Sequence, residues 1–567
     1  MAATLRRRPG PPDQPPRGTT TLCVITDSGT AIEPSDDGAD DVAATTLRAR
    51  VDVVTERLRT IDRSWLNRPL GWRHLRMHPA AALTAVGIVI WVGTFGRLAV
   101  EHHRNFGTWS FDMGIYDQGY WLVSRFGQTF VTVRGLEFWG QHINLIAYLY
   151  APFYWLGAGP TFLMATQAAC LGAGAAPVYL IARDRMNHWY GLGFAIAFLF
   201  YPAVQFISWA NYHPEAMVIT PFLFAWWFAL RGRWRAYWIA LALVLIIRED
   251  AALAVTVMGV VMFFGRLRTR RRGETLPSGG RWVPLATTLV GAGWYLLCTK
   301  ALIPHFNNGE EPFYVAYFYS AWGTTMGGVA GSIVRHPNRV VSDATQPDRL
   351  RFYRDLFLPL GLFPIAALGV LFMAAPQMLA SVIGASPYAR QINYQYTTVM
   401  IAPIFIASIE GYRRWIHPRP WRHWAMVWLL ACAVITNVAW SPSPIGDRNV
   451  IWARHNARVA VLERAVDLVP TSASVTATFS LLPHLAHRET VYDWPNPWKI
   501  AYWGNHNENP PDAAGVEYIA LDMRHVADGD KIIVANLTEP GGEFEVLMDE
   551  QDVIVARRIR EPASQSG

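Results

Sequence analysis

TWSFDMGIYDQGYWLVSRFGQTFVTVRGLEFWGQHIN, residues 108–144, is the stretch on which the reading of this chain turns. It follows closely on residues 80–100, an apolar run of the roughly 20 residues that a bilayer-crossing helix needs. A polar loop therefore begins where the bilayer ends. The loop carries two acids, Asp112 and Asp117, one histidine, His142, and a dense set of aromatic side chains. Acids placed there stay solvated at little cost, yet lie beside lipid, within reach of a headgroup carried by the membrane.

Composition agrees with a membrane setting. Of 567 residues, 52% are hydrophobic, 13% aromatic and only 16% charged, against about 25% charged in soluble domains. A mean hydropathy of only +0.14 implies polar soluble parts attached to the apolar ones. The net charge of +7 sits in short basic runs between apolar segments, which is the positive-inside pattern, so no nucleic-acid partner is expected. Cys170, Cys298 and Cys432 lie in apolar segments and Cys23 in a polar tail, so no disulfide framework is implied. The basic, proline-rich start has no apolar core of the signal-peptide kind. Residues 1–76 read as a disordered cytoplasmic region, with helical spacing over 42–66 that suits either a membrane-surface or a solvated helix.

The basic flank WLNRPLGWRHLRMH places the N-terminus in the cytoplasm and Glu101 onward outside. Further apolar segments cover 143–158, 162–181, 190–209, 215–230, 235–248, 250–265, 283–302, 353–369, 370–385, 395–411 and 422–440. Counting every one as a crossing puts the basic runs around Arg183, Arg231, Arg266 and Arg413 outside. Reading 143–158 as re-entrant or interfacial returns all four to the inside, and its Pro152, Gly157, Gly159 and Pro160 favour that choice. The expected fold is an all-α polytopic membrane protein with about eleven transmembrane helices and one re-entrant or interfacial helix. Its transmembrane part spans 77–444, with an outer loop at 101–142. From 445 to 567, a helix at 460–469 and the runs VEYIALD, KIIVANL, FEVLMDE and QDVIVARRI, all four read as strands, make a small extracytoplasmic α/β domain.

The candidate site residues lie on the outer face of that topology. Asp112 or Asp117, preferably Asp112, suits a general base or an orienting group for an acceptor hydroxyl; two solvated loop acids are the alternative. Glu215 in NYHPEA follows a proline suited to a first helical turn and is favoured electrostatically there in any case. Residues 235–248 and 250–265 read as short helices with Arg248, Glu249 and Asp250 at their turn, where charge at membrane depth marks a functional site. Arg248 and Arg390 suit an anionic headgroup; Arg390 sits in SPYARQINYQY beside Tyr394, where interfacial snorkelling is the alternative. A divalent metal would draw on Asp112, His213, Glu215, Glu249 or Asp250, without a close-spaced ligand motif to support it. No Walker loop, dinucleotide fingerprint or nucleophile elbow occurs.

FDMGIYDQGYW, GQHINLIAYLYAPFYWL, NYHPEA, IIREDAAL, IPHFN and ARQINYQYTTVMIAPIFIA follow one another over 111–411, and PHLAHRETVYDWP lies near the C-terminus. In that order they resemble domain-of-unknown-function family 2079 of bacterial multispanning membrane proteins. The layout of that family resembles the GT-C glycosyltransferases, whose outer-loop acid is catalytic and whose sugar donor is a lipid phosphate. The resemblance implies Asp112 as base or acceptor-orienting residue, Arg248 and Arg390 on the phosphate, and His142, His213 and Glu215 around the sugar. The chain departs from that pattern in having single acids rather than an adjacent pair in the first loop. The expected function is transfer of a sugar from a polyprenyl-phosphate donor to a cell-envelope glycan or protein at the plasma membrane. A lipid transporter or flippase, and a non-catalytic scaffold, are the rival readings.

Overall fold

The computed structural model describes residues 77–273, 278–504 and 509–560, together with Val53. The chain divides at Arg68/Pro69, and everything below concerns the second unit. The expectations for residues 1–76 lie outside the described residues.

Pro79–Arg104 is the first helix, 26 residues long. Pro79 opens it, the His78 side chain accepts from the Ala80 N–H, and Arg104 closes it, a cation at the end where the helix dipole favours one. Trp91 and Phe95 are buried, whereas Leu83, Val86, Val89 and Ile90 are exposed, a face for lipid. Six described helices are long and apolar enough to cross a membrane: Pro79–Arg104, Pro160–Arg185, Ala251–Arg271, Trp282–Phe306, Phe363–Ile383 and Arg422–Trp440. His188–Leu199, Pro214–Leu230 and Trp234–Ile247 are apolar but shorter. Thr398–Gly411 is buried at every residue. A helix buried on every side belongs at the centre of a bundle.

Three expectations change. Residues 353–369 and 370–385 do not form two spans meeting at 369/370. The chain reverses earlier, at Gly361 and Leu362, both with left-handed φ (61° and 66°), between Pro347–Phe357 with its extension Leu358–Leu360 and Phe363–Ile383. Gly361 packs against the Trp428 ring, where a side chain would not fit. The helix after Asp250 is not short either. It runs for 21 residues to Arg271, because the arginines beyond its apolar part are good helix formers. KIIVANL is a helix, Lys531–Thr538, not a strand; Val534 and Leu537 go to the core while Ile532 stays exposed, and one-sided packing overrides β-propensity.

Within 143–158 the helix is only Ala147–Trp155, nine residues with Pro152 inside. At 1.5 Å per residue it is about 14 Å long, far short of the roughly 30 Å hydrocarbon core. The four basic runs share one end of the bundle. Asp184 bonds Arg231 at 2.7 Å, Glu410 bonds both Arg185 and Arg413, and Arg266 lies 5.3 Å over Trp234.

The loop after the first helix holds Ile115–Ser124 and a small antiparallel hairpin, β1 (Phe130–Val131) and β2 (Leu136–Glu137). The C-terminal sheet has five strands: β3 (Val475–Ala477), β4 (Val491–Asp493), β5 (Tyr518–Asp522), β6 (Phe544–Glu550) and β7 (Val553–Arg558). Their order is β4-β3-β5-β7-β6, with β3 parallel to β4 and β5, and β7 antiparallel to both its neighbours. Strand alternation sends Ile519, Leu521 and Ala556 to the domain's own core, whereas Ala520, Val553 and Val555 join the large core of the bundle. The sheet is thereby fixed over one end of the helices.

Candidate active site at the Asp112 turn

Residues Ser110–Gly114 wind in a wide turn between the first helix and Ile115–Ser124. Asp112 at its centre has φ 75° and ψ −79°, close to a γ-turn of positive φ, which is rare and strained for a side-chain-bearing residue. Such a conformation costs on the order of 1–3 kcal/mol and persists where its surroundings dictate it. They do so here. The Trp109 N–H donates to Asn211 Oδ1 at 2.9 Å, and the Ser110 N–H donates to the Phe479 carbonyl at 2.9 Å. Leu482 closes on Gly114 so tightly that a Cβ there would lie 2.5 Å from its Cδ2. The Asp112 carboxylate lies 3.9 Å from His213 Nδ1 and keeps 35% of its side chain exposed. The packed wall around it pushes its carboxyl above the usual range, His213 opposing and Glu215 adding.

The neighbouring polar residues form one connected cluster. Gln167 Oε1 holds the His213 N–H at 2.7 Å, and Pro214 then opens the 3₁₀ turn Pro214–Val218 with Glu215 in its first turn. Glu215 Oε2 meets Arg248 Nη1 at 2.6 Å. Arg248 leaves the end of Trp234–Ile247 in an extended conformation; its Nε lies 3.6 Å from Asp250, and its Nη2 donates to His142 Nε2 at 3.0 Å. A guanidinium only donates, so Nε2 of His142 is the acceptor and its proton sits on Nδ1, 2.7 Å from Glu249 Oε1. Glu249 Oε2 also accepts the Ile143 N–H at 3.1 Å, and the imidazole stacks on Tyr314. Glu249 is 1% exposed, a placement a carboxylate tolerates only with such partners.

Two cavities meet at Asp112. One is lined by Asp112, Tyr116, Arg134, Glu137, Gln141 and His142 among others. The second is lined by Trp109, Asp112, Asn211, His213, Asn393 and Tyr394 among others. The structure thus brings together Asp112, His142, His213, Glu215, Arg248, Glu249 and Asp250, with Tyr394 on the wall of the second cavity. It does not bring in Asp117 or Arg390. Asp117 is buried, accepting from the Tyr154 hydroxyl at 2.8 Å and pairing with His487 of the C-terminal domain at 3.0 Å. Arg390 is committed to Asp348 at 2.9 Å and to the Gly384 and Ser381 carbonyls. Among the described residues, no three of His, Cys, Asp and Glu are gathered as a metal-ligand set. Sequence reasoning missed Arg134, Glu137 and Asn211, all inside motifs quoted for other residues.

A helical bundle with six apolar helices of spanning length, an ionic cluster at one end and a small sheet fixed over that end is a polytopic membrane protein. The chain belongs to the family described as Predicted membrane protein (DUF2079), whose pattern matches residues 102–555. No match was found among curated proteins. Among solved structures the chain is similar to ArnT from Cupriavidus metallidurans in the apo state, at 12% identity and TM-score 0.49, over 84% of this chain and 98% of that one. The same protein bound to undecaprenyl phosphate matches at 12% identity and TM-score 0.45, over 85% and 99%. The Archaeoglobus fulgidus oligosaccharyltransferase in complex with Zn and sulfate matches at 13% identity and TM-score 0.39, over 80% and 70%.

Proposed function

We propose that this chain is an integral membrane glycosyltransferase that moves a sugar from a polyprenyl-phosphate donor to a hydroxyl of a cell-envelope glycan or protein. The observation that carries the reading is the convergence at Asp112. A strained, half-open carboxylate is shared by two cavities and backed by a histidine and an ionic cluster drawn from three other stretches of chain. A scaffold has no reason to gather such a set. One cavity holds the donor headgroup and the other the acceptor. Asp112 accepts the acceptor hydroxyl proton as that oxygen bonds to the anomeric carbon, and the bond from that carbon to the phosphate oxygen breaks, its electron pair leaving with the lipid phosphate. A carboxylate held above its usual pKa is the better base. Arg248 and Glu249 set the orientation of Glu215 and His142 beside the sugar. In this reading the chain makes about eleven crossings of the plasma membrane. The arginine-rich end is cytoplasmic by the positive-inside rule, and the Asp112 loop and sheet domain, from about residue 445, are extracytoplasmic.

The test is turnover of purified protein in liposomes with a panel of radiolabelled polyprenyl-phosphate sugars, wild type beside Asp112→Asn. Transfer that falls by about 10²–10⁴-fold in the variant is expected. Donor that crosses the bilayer without losing its sugar would give the chain to the flippase reading.

A further inference from the structure

We infer that Arg134 is the side chain that binds the phosphate in the cavity beside Asp112, an assignment that rests on the transferase reading and replaces both arginines singled out by sequence. Arg248 already pairs with Glu215 and His142, and Asp250 lies 3.6 Å from its Nε. Arg390 is taken up by Asp348 and two backbone carbonyls. Among the described residues lining the two cavities, Arg134 is the one lysine or arginine. It shares its cavity with the carboxylates of Asp112 and Glu137, so a phosphate that entered without meeting a cation there would face repulsion alone.

Arg134 is held for such a task. It lies in the turn between β1 and β2, its N–H donating to the Val131 carbonyl at 3.1 Å, and its own carbonyl accepting the Gly504 N–H at 2.9 Å. The next residue, Gly135, has φ +66° and packs directly on the Trp503 ring. The guanidinium donates to the Tyr502 carbonyl and lies 6.0 Å over the Phe111 ring, next to Asp112 in the chain. It is 5% exposed, and burial lowers it to about 10, which leaves it charged at neutral pH. A planar fork fixed by its surroundings meets phosphate oxygens in pairs and loses little freedom on binding. The C-terminal domain supplies the strap at 502–504 that fixes it, so that domain contributes to recognition of the anion.

The experiment measures binding of three probes to the full chain in detergent micelles: a short polyprenyl phosphate, the matching polyprenol and inorganic phosphate. Wild type should bind the polyprenyl phosphate at least tenfold more tightly than the polyprenol. Arg134→Gln should bring the two within about twofold, with Arg464→Gln as an unaffected surface control. A folded Arg134→Gln that keeps the full preference overturns the assignment and leaves the transferase reading standing. Should Arg134→Gln fail to fold, Arg134→Lys decides, because it keeps the charge and loses the fork. A severalfold weaker preference supports the assignment and an unchanged one overturns it. Binding of inorganic phosphate that depends on Arg134, with no binding of the lipid, supports the anion site and removes the lipid donor. No preference for any phosphate overturns both.

Discussion

Replacing Asp112 separates the strain of the turn from its chemistry. In most settings glycine is less stable than alanine by about 0.5–1 kcal/mol. At φ 75° and ψ −79° the order should reverse, because alanine inherits the strain of on the order of 1–3 kcal/mol and glycine does not. Asp112→Gly should therefore exceed Asp112→Ala in stability by about 1 kcal/mol or more, while both lose turnover. Asp112→Asn tests the charge. The folded carboxyl is raised by burial, so the ionised form is the less stabilised one in the folded protein. Asn should then be more stable than wild type at pH 7, and the gain should vanish as pH falls below the ordinary carboxylate range near ~4. Unfolding midpoints in detergent at pH 4 and 7 read both effects. Ala equal to or above Gly would refute the strained turn, and a gain independent of pH would refute the raised carboxyl.

The ionic cluster should behave as a unit. Arg248→Met alone leaves Glu215 unpaired and should cost about 3–5 kcal/mol, of which Glu215→Gln in the same chain recovers part, as a double-mutant cycle of unfolding midpoints would show. The link between Asp117 and His487 gives the C-terminal domain a pH dependence. Burial alone would lower His487, but the Asp117 carboxylate raises it, so its stabilisation is full below about pH 6.5 and is lost as pH rises through the folded value. Hydrogen exchange around 485–490 should accelerate over that range in wild type and be fast throughout in Asp117→Asn. Gly361→Val should destabilise by about 2 kcal/mol or more, combining positive φ with contact against Trp428, whereas Leu362→Gly should not; thermal midpoints of the two variants check this.

Sequence and structure agree where charge must be placed relative to helix ends. His213 with Glu215 and Arg248 with Glu249 sit at junctions of apolar segments, and the topology that groups the arginine runs on one face sends these junctions to the other. Their meeting was legible from that alone. Partners far away in the chain were not. Arg390 looked available because Asp348 precedes it by 42 residues, and Asp117 looked like a loop acid because His487 follows it by 370. Hydropathy placed the reversal at 369 rather than 361, since it registers apolar content but not the left-handed backbone that turns a chain. Nothing in the sequence around Arg134 marks it, because the cavity it lines exists only in the fold.

The bond from Ser110 to Phe479 joins one of the earliest parts of the folded chain to one of the last. About 370 residues separate them, and at synthesis rates of about 5–20 residues per second the loop waits roughly 20–70 s for its partner. During that interval the helices can enter the bilayer, and of the contacts that hold the Asp112 turn only the one from Trp109 to Asn211 can form. The Asp112 turn therefore gains its full set of contacts only when the C-terminal domain closes over it.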